Sequence, residues 1–288
     1  MAKKDLLTNI RERLPELSKG QKQIANYILS HYEKAAYMTA SKLGSLVGVS
    51  ESTVVRFAIE LGFDGYPELQ RSLQELIRTK LTSFQRIEVA NNLIGDGDIL
   101  EKVLDSDAER IRHTLESVDR EAFNTAVDKI LAARHIYIIG VRSASSLASF
   151  LSQNFEMIFD NVHFVQTTSG SEMFERIMRI GPDDVMIAIS FPRYSKRTIN
   201  AVEYAREAGA NVIAITDSSL SPIAQYAHEL LTAQSDMVSF VDSLVAPLSL
   251  INAMIAAVSM KKQEELNVLF RRLENIWDEY DVYDKAHG

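Results

Sequence analysis

Two loops of this 288-residue chain combine hydroxyls and arginine in a way that suits anion binding. One reads Gly140-Val141-Arg142-Ser143-Ala144-Ser145-Ser146, and the other Ser190-Phe191-Pro192-Arg193-Tyr194-Ser195-Lys196-Arg197-Thr198. Each leads into an amphipathic segment of helical length, and the free amides at a helix start carry a positive partial charge. Small hydroxyl side chains let the backbone approach an oxyanion, and arginine adds a charge-assisted bond. The chemistry is phosphate binding, with Arg142, Ser143, Ser145, Ser190, Arg193, Ser195 and Thr198 as candidate ligands. Helix capping would explain each serine singly, but not two such loops in one domain. A dinucleotide fits poorly, because Gly140-Val141-Arg142 lacks the second glycine that close pyrophosphate approach needs.

A second constellation lies in Thr39 to Phe57, TASKLGSLVGVSESTVVRF. It predicts two short helices meeting at a tight turn, the arrangement that lets a helix lie in the DNA major groove. Leu43, Leu46 and Val47 recur at helical spacing, and so do Val54, Ala58 and Leu61. Gly48 supplies the positive φ of the turn, Val49 plugs inward and Ser50 is a good N-cap. Gly44 marks the closest approach of the two helices. Ser50, Ser52, Thr53 and Arg56 then face outward near the start of the second helix. With Lys42 and Glu51 they form the candidate DNA-contacting set.

These residues need a scaffold. Residues 1–80 read as an all-helical bundle of four or five helices. A capping box at Ser18 and Gln21 opens the stripe Ile24, Ala25, Ile28, Leu29. Gly62 ends the second helix of the turn motif, and a helix from about Pro67 turns Leu69, Leu73, Leu76 and Ile77 inward. Residues 81–98 lose this regularity and end in Gly95-Asp96-Gly97-Asp98, a linker. Asp98 and Glu101 resemble another capping box, and helices around 99–117 and 119–133 follow. Five short apolar runs come next: 136–139, 162–165, 185–189, 212–215 and 229–232. Helical segments lie between them at about 143–158, 170–179, 196–208 and 222–227. Alternation of this kind predicts an α/β fold with a doubly wound, five-stranded parallel sheet over 99–288. In a flavodoxin-like strand order the switch point lies between the first and third strands, which the two Ser/Arg loops leave. Val238 to Met260 and Lys261 to Tyr280 read as one or two further helices, with Val245 to Val258 as a core or dimer segment.

Composition excludes several classes. There are no cysteines, so disulfides, thiolate catalysis and cysteine zinc sites are out. The six histidines (31, 113, 135, 163, 228 and 287) are scattered singly, without metal-ligand spacing. No apolar run spans a bilayer and no signal segment is evident, so a cytoplasmic protein is expected. The net charge of −8 hides an asymmetry: residues 1–80 hold 12 Lys and Arg against 9 Asp and Glu, a net of +3, leaving −11 elsewhere. A mildly basic small domain on an acidic body fits a DNA reader that binds as a dimer.

Three segments of the first part, LSKGQKQIANYI, LGSLVGVSESTVVRF and LGFDGYPELQ, bear on family membership. So do IYIIGVRSAS, DDVMIAISFPRYSKRT and GANVIAITDSSLSPIA in the second part. In this order they resemble the RpiR/MurR family of bacterial transcriptional regulators over nearly the whole chain. Such proteins join an N-terminal helix-turn-helix domain to a C-terminal sugar isomerase (SIS) phosphosugar-binding domain. The resemblance implies a homodimer or homotetramer that binds double-stranded operator DNA and answers to a sugar phosphate; no cofactor or metal is expected.

Two loops depart from the family pattern. The first-strand loop is usually Gly-x-Gly-Ser-Ser, and here Arg142 replaces the second glycine. The third-strand loop is usually Ser-x-Ser-Gly-x-Thr, and here it is SFPRYSKRT. Arg142 and Arg193 either suit a more acidic or differently shaped sugar phosphate, or fill part of the pocket. SIS folds also serve enzymes, so a sugar-phosphate isomerase or lyase is the alternative function. Glu172 would be its base. As a first-turn acid, Glu172 also simply complements a helix dipole, and a non-enzymatic protein is expected.

Overall fold

Capping rules decide where the first helices begin. In the computed structural model, which describes residues 6–80, 85–87, 98–166, 169–237 and 240–283, Ser18 Oγ accepts from the Gln21 amide at 3.4 Å. Gln21 Oε1 accepts in turn from the Ser18 amide at 3.0 Å, completing the expected capping box. The chain divides into two compact units, residues 1–88 and 89–288. The linker expected over 81–98 lies outside the described residues, except 85–87 and Asp98. The side chain of Ile77 lies outside them too.

The first unit contains α1 (Leu6–Arg13), α2 (Lys19–Ala35), α3 (Ala40–Val47), α4 (Glu51–Glu60) and α5 (Tyr66–Lys80). Ile10, Ile24, Ile28, Leu43, Val54, Phe57, Leu69 and Leu73 are fully buried between them. Each such side chain contributes about 1.5–3 kcal/mol on leaving water. Leu46, expected on the same stripe, is instead 55% exposed. At eight residues α3 buries only Leu43 and Gly44, and the helical step from Leu43 turns Leu46 outward. α5 fastens the α2–α3 connection. Tyr66 Oη donates to the Met38 carbonyl at 2.7 Å, Gln70 Nε2 to the same oxygen at 2.9 Å, and Gln74 Nε2 to Ala36 O at 3.0 Å. Burial pushes the Tyr66 hydroxyl up to about 12, so it remains a donor at any ordinary pH.

In the second unit, α6 (Ile99–Ser117) starts at Asp98, whose Oδ1 accepts from the Leu100 and Glu101 amides at 2.9 and 3.3 Å. α7 (Arg120–Ala132) follows, then β1 (Ile136–Gly140), α8 (Ser143–Glu156), β2 (Val162–Phe164), α9 (Gly170–Ile177) and β3 (Val185–Ile189). α10 (Lys196–Glu207), β4 (Asn211–Thr216), β5 (Glu229–Thr232), α11 (Val245–Lys261) and α12 (Gln263–Glu279) complete it. All strand pairs are parallel and the order is β2-β1-β3-β4-β5, as the flavodoxin-like reading requires. The helix expected at 222–227 is only a 3₁₀ turn, Ala224–Tyr226. Pro222 and the start of β5 leave too few residues there to close an α-helical nucleus.

β1 and β3 are buried along their whole length, which accounts for their unbroken apolar runs. Ile136, Ile138, Ile187 and Ile213 pack on one face with Ile130, Leu151, Phe155 and Ile251. Tyr137, Ile139, Met186 and Val212 pack on the other with Met173, Ile177, Ala201 and Val202. At the amino end of the sheet, buried Asp184 accepts from Arg134 Nε and Nη2 at 2.9 and 2.8 Å and from the Gly181 amide at 2.8 Å. Burial alone would raise its carboxyl, but the bonds to Arg134 and Gly181 outweigh that and hold it below the ordinary carboxylate range. No described helix is long and apolar enough to cross a membrane.

Candidate functional site

The turn of the first unit is built from two glycines. Gly48 sits at φ 74° and ψ 34°, ending α3 in the left-handed conformation. A Cβ on Gly44 would stand 2.8 Å from the Val49 carbonyl oxygen, so only glycine lets α3 and α4 meet this closely. α4 is then fixed by buried Val54, Phe57 and Ala58. That docking leaves Lys42, Ser50, Glu51, Ser52 and Arg56 exposed and Thr53 half-buried.

Ser50 holds the N-cap position, but its hydroxyl takes up no first-turn amide. It bonds instead to the Ser52 and Thr53 hydroxyls, at 2.9 and 2.8 Å. The hydroxyl cluster therefore competes with the backbone for Ser50 and leaves the α4 N-terminus free to meet an anion. Arg56 Nε donates to the Ser52 carbonyl at 3.2 Å, keeping the guanidinium along the same face.

Sequence reasoning missed one wall of this surface. Ser18, Gly20 and Gln21 of α2 face Val49, Ser50, Thr53 and Arg56 across a recess of about 530 Å³. The available signal was Gly20, where a Cβ would come within 3.3 Å of Val49 Cγ1.

In the second unit, Gly140 of β1 is the register partner of Ile189 of β3. The two Ser/Arg loops therefore leave the sheet side by side, at the point where strand order reverses. A Cβ on Gly140 would lie 2.4 Å from the Ala144 carbonyl oxygen, so the backbone folds directly onto α8. Arg142 and Ser143 are exposed and Ser145 is half-buried, its amide donating to Arg142 O at 3.0 Å. Across the switch point Ser190 is buried and Arg193 exposed. Ser195 Oγ caps α10 by accepting from the Arg197 amide at 3.2 Å. Thr198 is buried, and its hydroxyl has no hydrogen-bond partner among the described residues.

Two features here escaped the sequence. Tyr194 Oη donates to Asp217 Oδ1 at 2.9 Å and Thr216 Oγ1 donates to the same oxygen at 3.2 Å, tying the β3 loop to the β4 loop. Also, His135 and His163 are not isolated: their ring nitrogens lie 3.2 Å apart at the other end of the sheet. Parallel pairing of β1 with β2 brings them together across 28 residues of chain. Burial, then His135, lowers the pKa of His163. No group of three or more His, Cys, Asp or Glu that could hold a metal occurs among the described residues. Glu172 lies in the first turn of α9, its amide capped by Ser169 at 3.2 Å and its carboxylate bonded to Arg176 at 3.1 Å.

Comparison with known proteins adds a family. Residues 4–80 match the helix-turn-helix domain of the rpiR family, and residues 129–257 match the SIS domain. The HTH-type transcriptional regulator HexR of Pseudomonas aeruginosa is 24% identical over 275 residues, 94% of this chain and 95% of that protein. The sugar isomerase domain of an RpiR transcription factor from Sphaerobacter thermophilus aligns with a TM-score of 0.59 at 27% identity, over 62% of this chain and 99% of that one. The Vibrio vulnificus NanR protein complexed with ManNAc-6P aligns at 0.61 and 20% identity, over 97% of this chain and 100% of that one, a likeness of fold.

Proposed function

Because the chain belongs to the rpiR family of helix-turn-helix proteins carrying a SIS domain, we propose that it is a cytoplasmic transcriptional regulator of carbohydrate metabolism. Its binding to double-stranded operator DNA is modulated by a phosphorylated sugar held in the SIS domain. The observation that carries this reading is the Gly140–Ile189 register, which delivers two hydroxyl- and arginine-bearing loops to the switch point of a chain whose other unit exposes α4. In this reading Lys42, Ser50, Glu51, Ser52, Thr53 and Arg56 contact DNA. Arg142, Ser143, Ser145, Ser190, Arg193, Ser195 and Thr198 surround the ligand.

A homodimer or homotetramer fits an operator reader, since a second copy doubles the phosphate contacts of a mildly basic domain. Exposed Leu104, Ile111 and Leu115 on α6 support an apolar contact between copies, beside a groove of about 410 Å³ that Ala246 and Leu250 of α11 also line. The ligand then acts by favouring one spacing of the two DNA-binding units over another. An isomerase would need Glu172 free to take a proton, whereas its carboxylate is engaged by Arg176. That favours the regulator.

Selection of bound duplexes from a random pool tests the DNA half. The expected product is a pair of half-sites that Arg56→Ala no longer enriches. A melting screen against sugar phosphates tests the other half, because a true ligand raises apparent stability by mass action. Ser190→Ala and Ser195→Ala should lose that shift while DNA selection persists. If both folded variants lose DNA binding outright, the separation of roles is wrong.

A further inference from the structure

We propose that His135 and His163 together bind a zinc ion at the amino end of the sheet, the end away from the Ser/Arg loops. The two residues stand 28 apart in the chain, and parallel pairing of β1 with β2 joins them. His163 is the register partner of Tyr137, and its ring stacks on that tyrosine at 4.8 Å. His135 Nδ1 and His163 Nε2 lie 3.2 Å apart, and the two ring centroids 5.0 Å apart. Zinc bonds an imidazole nitrogen at about 2.05 Å, so bonds from one ion to both nitrogens would meet at about 103°, near tetrahedral. That ion would stand about 3.2 Å from either ring centre, and the same angle then spaces the centres by about 5.0 Å. Rings aimed head-on in a hydrogen bond would set their centres about 5.5 Å apart at this nitrogen spacing. The observed rings are bent away from that line, as ligands of a shared ion are.

The backbone holds this geometry in place. The Ile136 amide donates to Asn161 O at 3.0 Å and the Val185 amide to His135 O at 3.0 Å, so β1 is fixed on both sides beside His135. Asn161 Nδ2 donates to the Ala133 and Arg134 carbonyls at 3.1 and 2.7 Å, tying the residue before β2 to those before β1. His163 is exposed and His135 half-buried, so an ion can enter from solvent and complete its shell with water. Buried Asp184 acts electrostatically on both rings and favours positive charge there, with Arg134 offsetting part of it. A pair of imidazoles selects zinc over magnesium, which takes oxygen ligands. An ion held here would fasten β2, a three-residue strand at the sheet edge, to β1.

The test is calorimetric titration of the full chain, carrying no affinity tag, with zinc chloride and with magnesium chloride. One zinc per chain should bind with a dissociation constant on the order of 10 µM, as two protein ligands out of four allow. Magnesium should not bind. Free zinc at about ten times that constant should raise the melting midpoint by about 3–5 °C. His163→Phe keeps a ring on Tyr137 and removes the nitrogen, so its metal-free midpoint should stay near that of the parent. It should bind zinc at least about tenfold more weakly. His135→Ala should lose as much, while His113→Ala, on α6, should lose nothing. The proposal is overturned by parental zinc affinity in either folded variant, by an equal response to magnesium, or by no zinc binding below about 1 mM.

Discussion

The helix-turn-helix turn and the switch-point loops both require positive φ, and they meet the requirement with opposite residues. Gly48 and Gly62 adopt φ 74° and 92° without a side chain to strain, and nothing would touch a Cβ at either position. Arg142 and Arg193 take φ 63° with a full side chain. The first turn is needed for its shape alone, and glycine supplies shape at no steric cost. The second places a charged side chain on positive-φ backbone, a strain of the kind that clusters at ligand clamps.

Substitutions in the two regions should therefore part company. The largest effect is expected from Gly140→Ala, which drives a methyl group into the Ala144 carbonyl and should destabilise the second unit by about 3 kcal/mol or more. Hydrogen exchange resolved by peptide should place the loss in residues 89–288 and leave α2 to α5 protected; loss spread evenly over both units would break the comparison.

Asp184→Asn should cost the same unit roughly 2–3 kcal/mol near neutral pH, discounted because Arg134 is half in solvent. The Asp184 carboxyl is held below its ordinary range when folded, so its contribution is complete above about pH 4 and fades as acid protonates it. Melting followed against pH should show the parent chain losing stability on acidification more steeply than the Asn variant.

Arg56→Ala should weaken DNA binding by about 1–2 kcal/mol and reduce the salt dependence by about one counterion, with sugar phosphate affinity unchanged. Unaltered DNA binding would move the contact surface away from α4. The smallest effects form a mirrored pair. Gly48→Ala should cost about 1 kcal/mol through its backbone alone, while Arg142→Gly should gain about as much. Equal signs in the two melts would remove the distinction between the turns.

Much of this was legible because local chemistry dictated it. Ser18 with Gln21, Gly44, Gly48 and the buried runs of β1 and β3 each follow from a nearest-neighbour rule, and the parallel pairing followed from the alternation of those runs with helices. Features needing tertiary pairing were hidden. Asp217 meets Tyr194 across 23 residues, His135 meets His163 across 28, and the Ser18 end of α2 reaches α4 only once the bundle closes. Leu46 misled because spacing places a residue on a face without saying whether a partner covers it.

The central claim, that one unit reads DNA under control of a ligand in the other, rests most directly on one titration. The selected operator duplex is titrated with protein, with and without saturating amounts of a sugar phosphate that raises the melting midpoint. The account predicts a severalfold or larger change in DNA affinity, matched by an equal change in sugar phosphate affinity when DNA is bound, as linkage requires. A ligand that binds and stabilises the protein yet leaves DNA affinity unchanged would contradict it.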